Sequence, residues 1–463
     1  MSEFKAGFAR VNITPMTGIG ISGYFKPRTC EGVLDDLEIN ALALKKDGVK
    51  IVMAAIDNCE VRQTVLDPIR REIEKEFGVP YEAAFLSCTH THTSCYIGEV
   101  DEGADKQLTD EYTLFFRHRM LDAVRFALAD LKPAKLGIGI SRAGNIAFVR
   151  RFVMKDGSVQ TNPGVNNPDI VRPVGEIDDQ VNVLRFDREG GDTIVLANFG
   201  CHPDVVGGNL ISADWPGFFR RRFEKAEDHV KCLFFNGAEG DINHVNVHPT
   251  AGDFNDMFND FDGVSRGYGH ARHMGNVVAA AVLSVYDKVE YVDVDSLGFI
   301  QRTIALRTNK PDPEANSLPG RKYQEPTVEE AHKIRELHEA GRDDLIGAEG
   351  MMLTTVVAEA LRMCRLENAP ETTPMYLSAL KIGPVAFVGI PGEPFNGVST
   401  ALKEEKNYKM VCPCCLTGGC IGYFPMKDCY LEGGYEARSS EFKAGTAELI
   451  AEEGRKLMAE LLG

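Results

Sequence analysis

Nowhere in its 463 residues does the chain carry ~18 consecutive apolar residues, so no membrane-spanning helix is expected. It is also short of positive charge. Against 68 Asp and Glu there are 51 Lys and Arg, a formal net charge of −17, and no basic run gathers them locally. A nucleic acid or an anionic membrane surface is therefore not an expected partner, because no positive field is available to displace phosphate counterions. The first residues, MSEFKAGFARVNITP, have no apolar core and no small-residue cleavage site, so no export signal is expected there. Without export, the 12 cysteines read as reduced thiols and the protein as cytoplasmic, the alternative being disulfides in an exported protein. No internal repeat and no sharp break in composition occurs, which favours one unit over residues 1–463.

What is present is an alternation of short apolar runs with amphipathic stretches. Residues 51–56 (IVMAAI), 83–88 (AAFLSC), 193–199 (TIVLANF), 231–235 (KCLFF) and 384–390 (PVAFVGI) read as buried strands. Residues 67–77, with Pro68 near the first turn, and 112–131 read as helices, as does 443–462 at the end. Runs apolar on both faces and separated by helices predict an α/β fold, with mixed or parallel sheets flanked by helices on both sides. Residues 308–326, rich in proline, read as loop leading into helices over 328–366, so 308–370 is a helical subregion. Residues 251–268 (AGDFNDMFNDFDGVSRGY) read as a long acidic loop, either a solvated surface or a lid selecting a cationic or hydroxylated ligand.

The chemistry lies at the strand ends. AAFLSC runs into Thr89-His90-Thr91-His92-Thr93, TIVLANF into Gly200-Cys201-His202-Pro203-Asp204, KCLFF into Asn236-Gly237-Ala238-Glu239-Gly240-Asp241-Ile242-Asn243, and PVAFVGI into Pro391-Gly392-Glu393. Ligands of open α/β sheets bind beyond the carboxyl ends of the strands, so parallel neighbours would bring these groups to one place. Two or three imidazoles and a carboxylate suit a divalent ion such as Zn²⁺. His90 and His92 are two apart, and in extended backbone both would project to one side. Taken singly, each has a plainer reading. A strand-end histidine can simply bond backbone, and Glu393 between two prolines can be a surface turn acid.

In order along the chain, AGFARVNITP (6–15), GVLDDLEINALAL (32–44), THTHT (89–93), NFGCHP (198–203), EGDIN (239–243), IPGEPF (390–395) and GYFPMKDCYLEGGYE (422–436) resemble the N-terminal catalytic domain of neutral/alkaline non-lysosomal ceramidases. The resemblance covers residues 6–436. It implies one Zn²⁺ held by His90, His202, Glu393 and Tyr423, with His92 beside the metal. It implies that Tyr435 hydrogen-bonds the substrate carbonyl oxygen, and that Arg150, or its neighbour Arg151, contributes a cation. The chain departs from the family in two respects. The nucleophilic serine of the GDxS segment is replaced by Asn243 after Gly240-Asp241-Ile242, and no counterpart of the C-terminal immunoglobulin-like domain is expected.

Asn243 cannot be deprotonated to attack, so the expected nucleophile is water activated by zinc. His92 would move the proton, Tyr435 or Arg150 would steady the oxyanion, and Asp241 and Asn243 would sit among the catalytic groups. The expected reaction is hydrolysis of an amide, lactam or related carbonyl bond in a small polar substrate. The alternatives are a ceramidase acting on N-acyl sphingoid amides, or a zinc-containing binding protein, and a homo-oligomer is compatible with all three. Cys412, Cys414, Cys415 and Cys420, just before Tyr423, do not match a zinc-knuckle spacing and read as shielded thiols; a nucleophile among Cys95, Cys414, Cys415 and Cys420 is the other reading.

Overall fold

The computed structural model describes residues 3–24, 26–98, 105–253 and 267–463. Two large sheets organise it. The first is nine-stranded, from β1 (Lys5–Asn12), β2 (Glu38–Lys46), β3 (Val49–Ile56), β4 (Ala84–Cys88), β5 (Lys132–Arg142), β6 (Gln180–Arg188), β7 (Thr193–Phe199), β8 (Val230–Asn236) and β9 (Glu290–Val292). Its spatial order is β8-β7-β6-β5-β1-β2-β3-β4, with β9 paired to β5. The second is four-stranded, in the order β10 (Leu297–Arg307), β11 (Thr372–Ile382), β12 (Val385–Gly389), β13 (Met410–Cys414).

Most neighbours are antiparallel. Among the described residues, the two large sheets contain three parallel pairs: β3 with β4, β7 with β8, and β12 with β13. Parallel strands need a crossover, and each pair has a helix between its strands. These are α1 (Gln63–Phe77), α3 (Asp214–Ala226) and α7 (Asn396–Lys403), while α2 (Lys106–Ala129) follows β4. Helix α1 starts four residues earlier than expected, at Gln63, so Pro68 lies inside it rather than in its first turn.

Layering follows from alternation along the strands. In β7, Val195 and Ala197 face Trp215 and Phe219 of α3 and Val278 and Val282 of α4 (Tyr268–Tyr286). Ile194 and Leu196 face the opposite way, into a core shared with Leu380, Val385 and Phe387 of the second sheet. The second sheet turns Leu377, Ala379, Ala386 and Val388 toward α7 and the C-terminal α8 (Thr446–Glu460). The layers therefore run helix, sheet, sheet, helix. The α/β class holds, but among the described residues each sheet has helices on one face only. An apolar run reports that both faces of a strand are covered, not what covers them.

The four strands whose ends carry the polar motifs are likewise not all neighbours, since β4 and β8 form opposite edges of the large sheet and β12 belongs to the other. Their ends meet through the second sheet. Asn236, ending β8, donates from Nδ2 to the Thr89 carbonyl beyond β4 (3.1 Å) and accepts at its own carbonyl from the Cys415 amide beyond β13 (3.1 Å). Of the acidic loop, residues 254–266 lie outside the described residues, and Tyr268 already belongs to α4. The subregion 308–370 contains α5 (Val328–Glu339) and α6 (Gly350–Leu366). Among the described residues no helix is long and apolar enough to cross a membrane.

Candidate metal centre and its cavity

All three parallel pairs end at one cavity of about 380 Å³. His90 lies two residues beyond β4, and its backbone is not extended. Its φ of 76° is left-handed, rare for a residue other than glycine. The reason is local pairing. Its amide donates to Asn58 O (2.9 Å) and its Nδ1–H to Cys59 O (2.8 Å), both beyond β3. His202 lies three residues beyond β7, with Nδ1–H donating to Glu239 O (2.9 Å) and Ile242 O (3.1 Å). A carbonyl only accepts, so both rings carry a proton on Nδ1, which leaves Nε2 as the nitrogen that can bind a cation. The loops after β7 and β8 can lie this close because Gly200 and Gly237 abut; a Cβ on Gly200 would sit 2.8 Å from Ala238 O.

Glu393 comes from a short parallel pairing of Glu393–Pro394 with Tyr423–Phe424, in which Glu393 is in register with Tyr423. Its Oε2 lies 3.4 Å from His90 Nε2 and 3.2 Å from His202 Nε2, buried and without a hydrogen bond. Glu239, fully buried, leaves both carboxylate oxygens without a hydrogen bond. One atom from each of His90, His202, Glu239 and Glu393 falls within 4.8 Å of the others. Lone pairs facing one another in a dry site repel unless a positive charge sits among them. The donor set of two nitrogens and carboxylate oxygens fits a zinc-type ion.

The electrostatics point the same way. Burial alone would raise the Glu393 carboxyl, but His90 and His202 hold it well below the usual range. Burial alone would lower His90, yet Cys59 and Glu393 hold it well above the ordinary imidazole value, so this position takes up a proton when no cation is there. Burial pushes the Glu239 carboxyl up to about 8, His90 opposing.

The other expected residues separate into two groups. His92 is at the centre, its Nε2 3.2 Å from His90 Nε2 and its buried Nδ1 without a partner. Burial, then His90, holds it well below the usual imidazole range, hence neutral. Tyr423 and Tyr435 line the cavity with rings 5.6 Å apart, and burial raises both phenols. Arg150 lines it too. It donates from Nε to Glu436 Oε1 (2.6 Å) and from Nη2 to Gly240 O (2.7 Å), and its Nη1 is 3.3 Å from His202 Nε2. Burial opposes its charge, but Glu436 and Tyr423 keep it a cation. Arg151, the next residue, is turned away to Cys429 and Glu432.

Asp241 and Asn243 are not among the lining residues. The Asp241 carboxylate accepts the Asn396 amide at the start of α7 (2.7 Å), and Asn243 is buried behind Asn162. None of Cys95, Cys414, Cys415 and Cys420 lines the cavity; the cysteine that does is Cys59, its Sγ 3.7 Å from His90 Nδ1. Sequence reasoning passed over Cys59 and assigned Glu239 no role. A signal for Glu239 was available. It stands three residues past β8, as His202 stands three past β7, and the two strands pair in parallel with Phe199 opposite Asn236.

The architecture has solved counterparts. A neutral ceramidase from Pseudomonas aeruginosa superposes with a TM-score of 0.72 at 18% identity, over 99% of this chain and 75% of that one. The fold is that of the neutral ceramidases. A ceramidase complexed with C2 gives a TM-score of 0.71 at 16% identity, covering 99% and 76% of the two chains. No protein-family model matches the chain, and no curated protein matches it in sequence. At such identities the ceramidase-like architecture is shared while the side chains must be judged where they stand.

Proposed function

We propose that this ceramidase-like protein is a metal-dependent hydrolase of an amide, lactam or related carbonyl bond in a small polar molecule, acting as one unit over residues 1–463. The observation that carries the reading is the convergence of His90 Nε2, His202 Nε2 and the Glu393 carboxylate, with Glu239 beside them and the Nδ1 of both rings tied to backbone carbonyls. His90, His202 and Glu393 would hold Zn²⁺, with Glu239 within reach. Tyr423 either completes the shell or, with its ring 5.5 Å from the Arg150 guanidinium, faces the substrate. When bound, such an ion supplies Lewis acidity and lowers the pKa of water from ~15.7 to about 7.

The chain's own groups supply the rest. Among the described lining side chains Ser22 carries the one aliphatic hydroxyl, and its Oγ faces Ser94 Oγ (3.4 Å) rather than a histidine, so water is the better nucleophile. His92, neutral and with an unpartnered Nδ1, can take up the proton released in attack and return it to the leaving nitrogen. The phenols of Tyr435 and Tyr423 stay protonated at neutral pH and donate to the oxygen on which charge develops, beside the permanent charge of Arg150. We also place the protein in the cytoplasm, supported by twelve free thiols, ten of them buried. The test is metal analysis combined with a panel of acyl amides and lactams. One equivalent of zinc with turnover supports the hydrolase, whereas zinc with tight binding and no turnover supports a binding protein.

A further inference from the structure

Beside the first cavity lies a second, of about 390 Å³, and the two share Asn162 and Met351 in their walls. The second is lined by Gln160, Thr161, Gly350, Met352 and Thr355, from the hairpin after Arg151 and the start of α6. Asn162 is held at this junction from two directions. Its amide donates to Arg150 O (2.8 Å), and its side-chain carbonyl accepts from Asn243 Nδ2 (3.0 Å). Its φ of 47° is left-handed, a conformation asparagine tolerates better than most residues.

The direction of the Asn162 amide follows from a chain of donors and acceptors. The Val245 backbone N–H can only donate, and it lies 3.0 Å from Asn243 Oδ1. Asn243 must therefore present its NH₂ to Asn162, which must present its oxygen to Asn243. The Asn162 NH₂ is left facing the cavities. Asn243, fully buried and paired opposite Phe148, stands where the family resemblance places a nucleophile, and here it orients a neighbour.

We propose that Asn162 recognises the part of the substrate distal to the reacting carbonyl, donating from Nδ2 to an acceptor oxygen there, and that Asn243 is the positioning residue for it. The substrate class is accordingly a carbonyl compound with a second oxygen acceptor, on a portion that extends past Met351 toward the second cavity. This rests on the reading of the first cavity as the substrate site.

The test is calorimetric titration of the zinc-loaded full chain with 3-methoxypropanamide and pentanamide, neutral amides that differ by an acceptor oxygen in place of one methylene. Wild type should bind 3-methoxypropanamide at least ~10-fold more tightly, the worth of one hydrogen bond in a desolvated site. Asn162→Asp, which replaces the donor with an acceptor at a half-buried position, should abolish the preference. Asn243→Asp should abolish it too without touching the ligand, because it can no longer donate to Asn162. Equal affinities in wild type, or a preference that survives Asn162→Asp, would overturn the proposal, and survival in Asn243→Asp would overturn the positioning role. Zinc content and melting temperature check folding, and Asn162→Asp carries the test if the buried Asn243→Asp does not fold. Because binding is read apart from turnover, a protein that keeps the preference but hydrolyses nothing sinks the hydrolase reading and not this one.

Discussion

At His90 the backbone takes a left-handed turn that costs of order 1–3 kcal/mol for a non-glycine residue and persists only where the surroundings fix it. Here the fixing groups are the Asn58 and Cys59 carbonyls, which aim Nε2 at Glu393. Glu393→Gln should lower zinc affinity more than ~100-fold and abolish turnover, because an amide cannot supply the missing charge. Metal analysis and rate assays check this, and a variant with zinc and rate intact would sink the assignment. Asp241 makes a different prediction. Burial holds its carboxyl up at about 6 against an ordinary 3.8, with the Asn396 amide opposing. Between these values the folded protein keeps a proton that the unfolded chain has released. Its contribution to stability is thus full at the acid end and falls as pH rises to about 6. Asp241→Asn should flatten that limb of melting temperature against pH, whereas a limb as steep as wild type's would mean Asp241 is ionised in the fold.

Among elements, the α5–α6 pair is more than a decoration on the sheets. Met351, in the first turn of α6, lines the cavity, and further along α6 the fully buried Glu359 accepts from Arg438 Nε (3.0 Å) and Nη2 (2.5 Å). Arg438 belongs to the short helix Tyr435–Ser439, which also carries Tyr435 and the Arg150 partner Glu436. Removing one partner of a buried ion pair leaves the other uncompensated, at about 3–5 kcal/mol. Glu359→Ala should therefore lower the melting temperature and also cut kcat by ~10-fold or more as Tyr435 loses its position. A lowered melting temperature with kcat unchanged would show that other contacts hold Tyr435. From sequence the helices over 328–366 were legible through their periodicity, but their bearing on the cavity was not. The Glu359–Arg438 pair spans 79 positions and has no local signature.

For the molecule as a whole, three β-α-β units from two sheets are joined at their carboxyl ends, and the candidate ligands are drawn from all three. A cation there would bind the folded state alone, stabilising it by about 2.7 kcal/mol when free metal is 100 times its Kd. Chelation should lower the melting temperature and remove activity, with zinc restoring both; a melting temperature indifferent to chelator would separate the metal from the fold. Several features were readable in the chain itself. The buried strands follow from their apolar runs, and the ligand types stand directly after them. That Asn243 offers no hydroxyl nucleophile also follows from its identity, since these features depend on residue identity and spacing of a few positions. Only the folded chain decided that two sheets, rather than helices, cover each other's inner faces. It also decided that β4 and β8, opposite edges of one sheet, meet at Asn236, that Glu239 joins the imidazoles, and that Asp241 and Asn243 stand outside the cavity. Each of these is a contact between segments far apart in sequence, set by packing and by where backbone carbonyls accept, and neither leaves a periodicity to read.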